Sequence, residues 1–313
     1  MAKVTQHLGF SAQDVAQAAD LLRAGDCVAF PTETVYGLGA DARNGLAVAA
    51  IYEAKGRPSF NPLIIHVADA NSARAFGQWS DTAQSLADAF WPGPLSLVLP
   101  LVPNAGLSEL VTAGLPSVAI RVPAGDLAQG LLRSFDGPVA APSANPSGKI
   151  SPTTAEHVLA GLTGKIAAVL DGGACAVGLE STIVGLTDAP TLLRAGGVPR
   201  EAIEEVLGAP LHDPIAGDIT APGQLSSHYA PNAHIRLNAS SWEAGEKTLG
   251  FGQMECDLNL SESGDLSQAA ARLFGHLHAL DAREGDRIAV APIPEAGLGA
   301  AINDRLRRAA APR

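Results

Sequence analysis

Two apolar runs, Cys27-Val28-Ala29-Phe30 and Leu63-Ile64-Ile65-His66-Val67, bracket a helical pattern from about Leu46 to Lys55. Short apolar runs bounded by turn residues read as buried strands, and strand, helix and strand in succession confine the chain to an α/β architecture. The first run breaks at Pro31 into Thr32-Glu33-Thr34-Val35-Tyr36-Gly37-Leu38-Gly39, and the helix stops at Gly56-Arg57-Pro58. Polar groups therefore gather where strand gives way to loop, the edge at which open α/β sheets bind ligands. Hydroxyls (Thr32, Thr34, Tyr36), two cations (Lys55, Arg57) and an imidazole (His66) meet there. Such a set suits a small anion, a phosphate ester above all.

The remaining chain repeats this grammar. Ser11-Ala12-Gln13-Asp14 reads as a capping box opening a helix to Leu22 that Gly25 stops. A second helix, Asp81 to Phe90, turns through Trp91-Pro92-Gly93-Pro94 into a strand, Leu95 to Leu99. Further strands are expected at Ser117 to Val122, Val139 to Pro142, Ala167 to Leu170, Ser181 to Val184 and Thr191 to Arg194, with helices after Thr153 and Pro199. Residues 209–232 lose all period and are rich in Pro, Gly, Asp and Ser, so they read as a linker. A smaller α/β pattern follows: a strand at Ile235 to Leu237, a helix from Leu266 to Leu280, a strand from Ile288 to Ala291, and a last helix from about Gly299 to Arg308. At 313 residues the chain exceeds one comfortable core. Its expected division is a first domain over 1–208, the linker over 209–232 and a small C-terminal α/β domain over 233–313.

Composition narrows the function. A formal net charge of -11 argues against a broad nucleic-acid surface, and 4% aromatic residues leave little for base stacking. Cys27, Cys175 and Cys256 stand far apart, with no paired spacing for zinc or redox chemistry. Neither a signal core nor an apolar run of the ~18 residues that a span needs is present, so a soluble cytoplasmic protein is expected.

Each candidate residue has a plain structural explanation to set against the functional one. Lys55 fits a dipole-complementing lysine before a C-cap glycine, yet Arg57 two residues on points to an anion. Arg121 interrupts Val118-Ala119-Ile120-Arg121-Val122, and a buried arginine demands compensation by a carboxylate or a bound anion. Ser143 and Asn145 follow an apolar strand in a turn, at a junction like that of Thr32. Ser181 opens a strand after Gly178-Leu179-Glu180, Arg194 closes one before two glycines, and His66 alternates with aliphatic residues. Gly37-Leu38-Gly39-Ala40-Asp41-Ala42 fits G-x-G-x-x-A on paper, but no helix starts on it, so no dinucleotide site is inferred. No P-loop, G-x-S-x-G, H-E-x-x-H or metal-spaced His/Cys set occurs. Physics alone reaches an anion-binding α/β enzyme without a phosphate-binding P-loop.

Pro31 to Leu38, then Lys55-Gly56-Arg57-Pro58 with Asn61-Pro62-Leu63, resemble the signature of the YrdC/Sua family. Ser143-Ala144-Asn145-Pro146-Ser147-Gly148, Ser181-Thr182-Ile183-Val184 and Leu193-Arg194 before Gly196-Gly197 follow in that family's order. Pro222-Gly223 with His228-Tyr229-Ala230-Pro231, and Gly297 to Ile302 with Arg305-Leu306, resemble the linker and C-terminal domain of its long form. The resemblance implies a YrdC-like twisted open mixed sheet with flanking helices, plus a small Rossmann-like α/β C-terminal domain. It implies L-threonylcarbamoyladenylate synthase activity: L-threonine, bicarbonate and ATP with Mg²⁺ give threonylcarbamoyl-AMP and pyrophosphate, without a tightly bound organic cofactor. A downstream threonylcarbamoyl transferase complex would then modify the adenosine beside the anticodon in tRNA, with no stable tRNA binding expected here. By the same resemblance Lys55 and Arg57 are catalytic, and Thr34, His66, Arg121, Ala141 and Ser181 hold threonine. Arg57, Asn61, Ser117, Ser143, Asn145, Ser151, Arg194 and Tyr229 would hold ATP, and no residue is expected as a dedicated metal ligand. The competing reading is a non-catalytic nucleotide or double-stranded RNA binding module, which the charge of -11 disfavours. A hydrogenase-maturation carbamoyl-transfer domain shares the fold but would carry paired-cysteine motifs, absent here.

Overall fold

The computed structural model describes residues 4–214 and 228–312. In chain order the first part reads β1 (Gln6–Leu8), α1 (Ala12–Arg23), β2 (Val28–Phe30), β3 (Gly37–Asp41), α2 (Gly45–Lys55), β4 (Ile64–His66), α3 (Ala70–Ala73) and α4 (Asp81–Phe90). It continues with β5 (Leu95–Pro100), α5 (Glu109–Thr112), β6 (Ser117–Arg121), α6 (Asp126–Phe135), β7 (Val139–Ala140), α7 (Ala155–Leu162), β8 (Ala168–Leu170), β9 (Thr182–Gly185), β10 (Thr191–Arg194) and α8 (Arg200–Leu207). The second part holds β11 (His234–Arg236), β12 (Lys247–Gly250), β13 (Leu258–Asn259), α9 (Leu266–Asp281), β14 (Arg287–Val290) and α10 (Leu298–Ala310).

The first ten strands form one mixed sheet in the order β1-β8-β2-β3-β7-β4-β6-β5-β9-β10, and the last four form a parallel sheet in the order β11-β14-β12-β13. Local chemistry explains the elements that matter for the site. Ser11 and Asp14 complete the expected capping box of α1. Asn44 caps α2 by accepting from the Leu46 and Ala47 amides, and Gly56 ends the helix in the left-handed conformation at φ 61°. The break after Pro31 is shorter than the sequence suggests. Gly37-Leu38-Gly39-Ala40-Asp41 is not loop but β3, paired antiparallel with β2 and β7. Glycine is what permits this: a Cβ on Gly39 would stand 2.9 Å from side-chain atoms of both Phe30 and Val139. Helix α6, which no sequence expectation covered, packs against α1 over β1, β8 and β2, burying Leu22, Phe30, Leu131 and Phe135 together.

Successive side chains of a strand face opposite sides, so the clusters report which face is covered. Helices α2, α4, α5, α7 and α8 cover one side of the large sheet, where Ile65, Leu97, Ile120 and Val184 join the main core. On the opposite side α1 and α6 cover only one end. Over β4, β6, β5 and β9 the face carries a separate small cluster, Ile64, Ala119, Val98 and Ile183, with Leu193 beside it. That open face becomes the floor of the site. The core of the second sheet does not stop at its own elements: Val35, Ile150, Leu179 and Tyr229 pack into the same cluster as Leu273, Phe274 and Ile302. Gly178, at φ 73°, lies so close to α9 that a Cβ would fall 2.5 Å from the Ala270 carbonyl oxygen. Of the expected linker, Leu211 is buried and His212 bridges to Thr191. Its portion 215–227, including Pro222-Gly223, lies outside the described residues.

Candidate active site

Cross-strand register sorts the open face into rows. His66 pairs with Arg121 and Arg121 with Ser96, which gives a polar row. Ile64 pairs with Ala119 and Ala119 with Val98, which gives an apolar row beneath it. Ser117, on the same face of β6 as Arg121 but two rows away, borders a separate depression with Val98, Leu115, Gly185 and Leu193. The floor is thus polar at one end, apolar in the middle and open at the other.

The polar end is a pocket lined by Thr32, Thr34, Val35, Gly37, Arg57, Ile64, His66, Arg121, Ala141, Pro142, Ser143, Glu180, Ser181, Arg194, His228 and Tyr229. The loop between β2 and β3 folds around its own hydroxyls. Thr32 Oγ1 donates to the Val35 carbonyl at 2.7 Å and lies 2.7 Å from Thr34 Oγ1. Arg121 answers the question its strand raised: the partner is a carboxylate. Its Nη2 donates to Glu33 Oε1 at 2.7 Å, its Nη1 to Thr34 Oγ1 at 2.9 Å and its Nε to the Gly93 carbonyl at 3.2 Å. The second Glu33 oxygen accepts from the Ala124 amide at 3.1 Å. Burial, reinforced by the Arg121 guanidinium, brings His66 down to about 3, so its imidazole is neutral at physiological pH. Among the described residues, His66 Nδ1 is buried without a hydrogen-bond partner.

Two more guanidiniums face this pocket. Arg57 donates to the Pro62 carbonyl at 3.0 Å, and burial brings it down to about 10. Arg194 Nη2 donates to the Ser181 carbonyl at 2.9 Å and to Ser181 Oγ at 3.1 Å, and Ser181 Oγ also lies 2.8 Å from Ser96 Oγ. Lys55 is placed differently. Its ammonium is buried beneath the turn after β7 and donates to the carbonyls of Ser143 and Asn145, so it shapes the wall without lining it. Burial, then the Arg57 charge, holds that ammonium well below the usual lysine range. Asn145 Nδ2 closes the same turn by donating to the Pro146 and Lys149 carbonyls, at 2.8 Å each.

The remaining sequence-derived candidates divide in two. Arg57, Thr34, His66, Arg121, Ala141, Ser143, Ser181, Arg194 and Tyr229 all line the pocket. Asn61, Ser117, Asn145 and Ser151 do not: Asn61 and Asn145 are buried behind the wall, Ser117 lies at the far end of the floor, and Ser151 donates to Glu180. Four contributors were quoted within motifs but not assigned to the site. Glu33 and Glu180 lie beside residues that were named, and Glu180, between Leu179 and the apolar strand β9, showed the same charge-among-apolar signal as Arg121. His228 came with Tyr229. Arg305 was quoted only within the C-terminal motif, and an arginine on an amphipathic helix ordinarily faces water, so nothing pointed it at the site.

The far wall comes from the second part of the chain. Tyr229 stacks near Phe274, with ring centroids 5.6 Å apart, and the Arg305 guanidinium lies 5.1 Å over the Tyr229 ring. The Ala230 amide donates to the Gly148 carbonyl at 2.8 Å. His278 stacks on His157 at 3.9 Å and reaches the Ser151 carbonyl at 3.1 Å.

Fold and pocket together define an α/β enzyme of the YrdC-like class, with an arginine-rich pocket at the open face of its large sheet. The comparisons agree. Residues 20–196 match the family described as "Telomere recombination" (Sua5, YciO and YrdC), and residues 198–311 match "Threonylcarbamoyl-AMP synthase, C-terminal domain". The threonylcarbamoyl-AMP synthase of Bacillus subtilis is 44% identical, covering 98% of this chain and 96% of that protein. The structure of Pyrococcus abyssi Sua5 complexed with L-threonine is similar at a TM-score of 0.90 and 38% identity, covering 98% of both chains. Escherichia coli YciO, 20% identical, shares the fold over 62% of this chain and 96% of its own, at a TM-score of 0.56. The chain belongs to the two-domain threonylcarbamoyl-AMP synthase family.

Proposed function

We propose that the protein makes L-threonylcarbamoyl-AMP from L-threonine, bicarbonate and Mg²⁺-ATP, releasing pyrophosphate. The observation that carries this reading is the two-ended floor: a polar row at His66, Arg121 and Ser96 beside an apolar row at Ile64, Ala119 and Val98. A threonine carboxylate and amine suit the first, and the nucleoside of ATP suits the second. Thr34, His66, Arg121, Ala141 and Ser181 form the threonine end. Arg57, Ser143, Arg194 and Tyr229 flank the phosphates, and Ser117 marks the far end of the nucleotide. Lys55, Asn61, Asn145 and Ser151 support the walls.

The chemistry asks little covalent help of the protein. The threonine amine attacks the bicarbonate carbon and a C–O bond breaks, with an amine proton and the leaving hydroxide departing as water, to give a carbamate. A carbamate oxygen then attacks the α-phosphorus as the bond to pyrophosphate breaks. Two anions must approach each other, so positioning and charge neutralisation supply most of the acceleration. Arg57, Arg121 and Arg194 provide that charge. His66, neutral in the fold, can orient a substrate without adding positive charge. The pocket's shelter from water suits a labile mixed anhydride.

We also propose the division into 1–208, 209–232 and 233–313, in which the connecting segment supplies His228 and Tyr229 to the wall. On this reading the product passes to a cytoplasmic threonylcarbamoyl transferase complex. No helix among the described residues is long and apolar enough to cross a membrane. The test is pyrophosphate release from Mg²⁺-ATP with and without threonine and bicarbonate. Release that needs both supports the synthase; release indifferent to threonine sinks it.

A further inference from the structure

We propose that Arg305 is a positioning residue of this site: by neutralising the Glu180 carboxylate in the pocket wall, it makes ATP binding depend on the docked C-terminal part of the chain. The inference rests on the functional reading above, because it needs a polyanionic ligand in the pocket.

Arg305 lies on α10 with 0% exposure, the largest fully buried side chain among the described residues. Its Nε donates to Glu180 Oε2 at 2.8 Å and its Nη1 to Asp304 Oδ2 at 2.8 Å. Its guanidinium carbon stands 5.1 Å over the Tyr229 ring. Glu180 and Tyr229 both line the pocket, whereas Arg305 does not. One side chain from near the end of the sequence therefore holds two wall residues while touching no ligand space.

The charges explain why such a hold is needed. Among the described residues that line the pocket, Glu180 is the one carboxylate. The groups facing it are Arg305 from α10, Arg194 from β10, His228 and Tyr229 from the end of the connecting segment, and the Ser151 hydroxyl, which donates to its other oxygen, while Asp304 shares the Arg305 guanidinium. Burial alone would raise the Glu180 carboxyl, but Arg305 and Arg194 outweigh it and keep it below the usual carboxylate range. Burial brings His228 down to about 3, so it contributes no charge at neutral pH. Two guanidiniums thus balance Glu180, and one of them, Arg194, already serves Ser181. Without Arg305 the carboxylate would oppose an incoming nucleotide, and either a proton or an uncharged isostere at position 180 would relieve that opposition.

The experiment measures equilibrium binding of Mg²⁺-ATP to the full-length wild type, Arg305→Met and Arg305→Met/Glu180→Gln, each checked by thermal unfolding. Near pH 8, Arg305→Met should bind about tenfold more weakly than wild type, and the double variant should return to within about threefold. The ratio of Arg305→Met to wild type should also move toward one as pH is lowered, because without Arg305 burial pushes the Glu180 carboxyl up toward protonation. If Arg305→Met does not fold, Arg305→Gln takes its place against Arg305→Gln/Glu180→Gln. A double variant no better than the single, with a ratio flat in pH, overturns the inference and leaves the synthase reading standing. A wild type that binds no Mg²⁺-ATP overturns both.

Discussion

Two buried Arg–Glu pairs border the same pocket, and the chain builds them in different ways. Arg121–Glu33, at 2.7 Å, ties a strand of the large sheet to the loop beside it, and the same guanidinium holds Thr34 and the Gly93 carbonyl. Arg305–Glu180, at 2.8 Å, ties the last helix to the turn before β9, 125 residues earlier in the sequence. In the first pair the Arg121 guanidinium itself lines the pocket floor. The second stands behind the wall and reaches the ligand only through Glu180 and Tyr229. Equal burial and equal geometry therefore do not mean equal function. What separates the two is whether the guanidinium itself lines the pocket.

Replacing each arginine tests this difference with the largest expected effects. Arg121→Ala leaves the Glu33 carboxylate without its cation in a side chain that is only 11% exposed. Breaking a buried pair in this way costs about 3–5 kcal/mol of stability. L-threonine binding by calorimetry should also weaken more than about 100-fold, the charge-assisted fork being lost. Arg305→Met should lower stability by a similar amount in chemical denaturation yet retain threonine binding within a few fold. Equal loss of threonine binding in both variants would erase the distinction between floor and wall.

Lys55 offers the next largest effect, because it has the burial of the pairs without their carboxylate. Lys55→Met abandons the Ser143 and Asn145 carbonyls, and each unsatisfied buried acceptor costs about 1–3 kcal/mol. The turn it holds contributes Ser143 to the wall, so ATP binding should fall further than threonine binding. A variant with unchanged ATP affinity would show that the turn keeps its shape unaided.

Acid should act on both sides of the pocket at once. His66 and His228 lie near 3 and His157 near 4 in the fold, each lowered chiefly by burial from the ordinary 6.5. The unfolded chain therefore takes up protons that the folded one refuses, and stability is lost as pH falls below about 6.5 and on toward 4. The slope should reach about 1.4 kcal/mol per pH unit for each histidine fully inside that window. Urea unfolding from pH 7 to 4.5 measures it. His157→Asn should flatten the slope by roughly one histidine's share, and an unchanged slope would mean the His157–His278 stack opens before the chain unfolds.

The sequence disclosed the floor better than the wall, and the reason is geometric. A strand has a strict two-residue alternation, so a charge at Arg121 or a histidine at His66 stands out against aliphatic neighbours. The helix that carries Arg305 also carries Arg307 and Arg308 in its last turn, and nothing in the pattern says which one turns inward. Short elements escaped for a related reason. Glycines in β3 read as punctuation until their close contacts with Phe30 and Val139 are seen. The strands Gln6–Leu8 and Leu258–Asn259 have too few residues to show any period. Lys55 was legible as a cation at the end of a helix beside the site, but not as a buried staple for the Ser143 and Asn145 carbonyls.

Ser117 gives the smallest effect and the sharpest check on where the floor ends. It shares a face of β6 with Ala119 and Arg121, and four residues of strand place it about 13 Å from Arg121 at ~3.3 Å per residue. A nucleotide lying along the apolar row would reach the depression that Ser117 borders with Leu115 and Gly185. Ser117→Ala should then weaken ATP binding by only about 0.5–1.5 kcal/mol, the worth of one neutral hydrogen bond, and leave threonine binding untouched. Ser117→Phe separates this from a local packing effect, because its ring would fill the depression and block a base there. If the phenylalanine variant folds and binds Mg²⁺-ATP as tightly as wild type, the nucleotide leaves the floor before the far end and the apolar row serves some other part of the substrate.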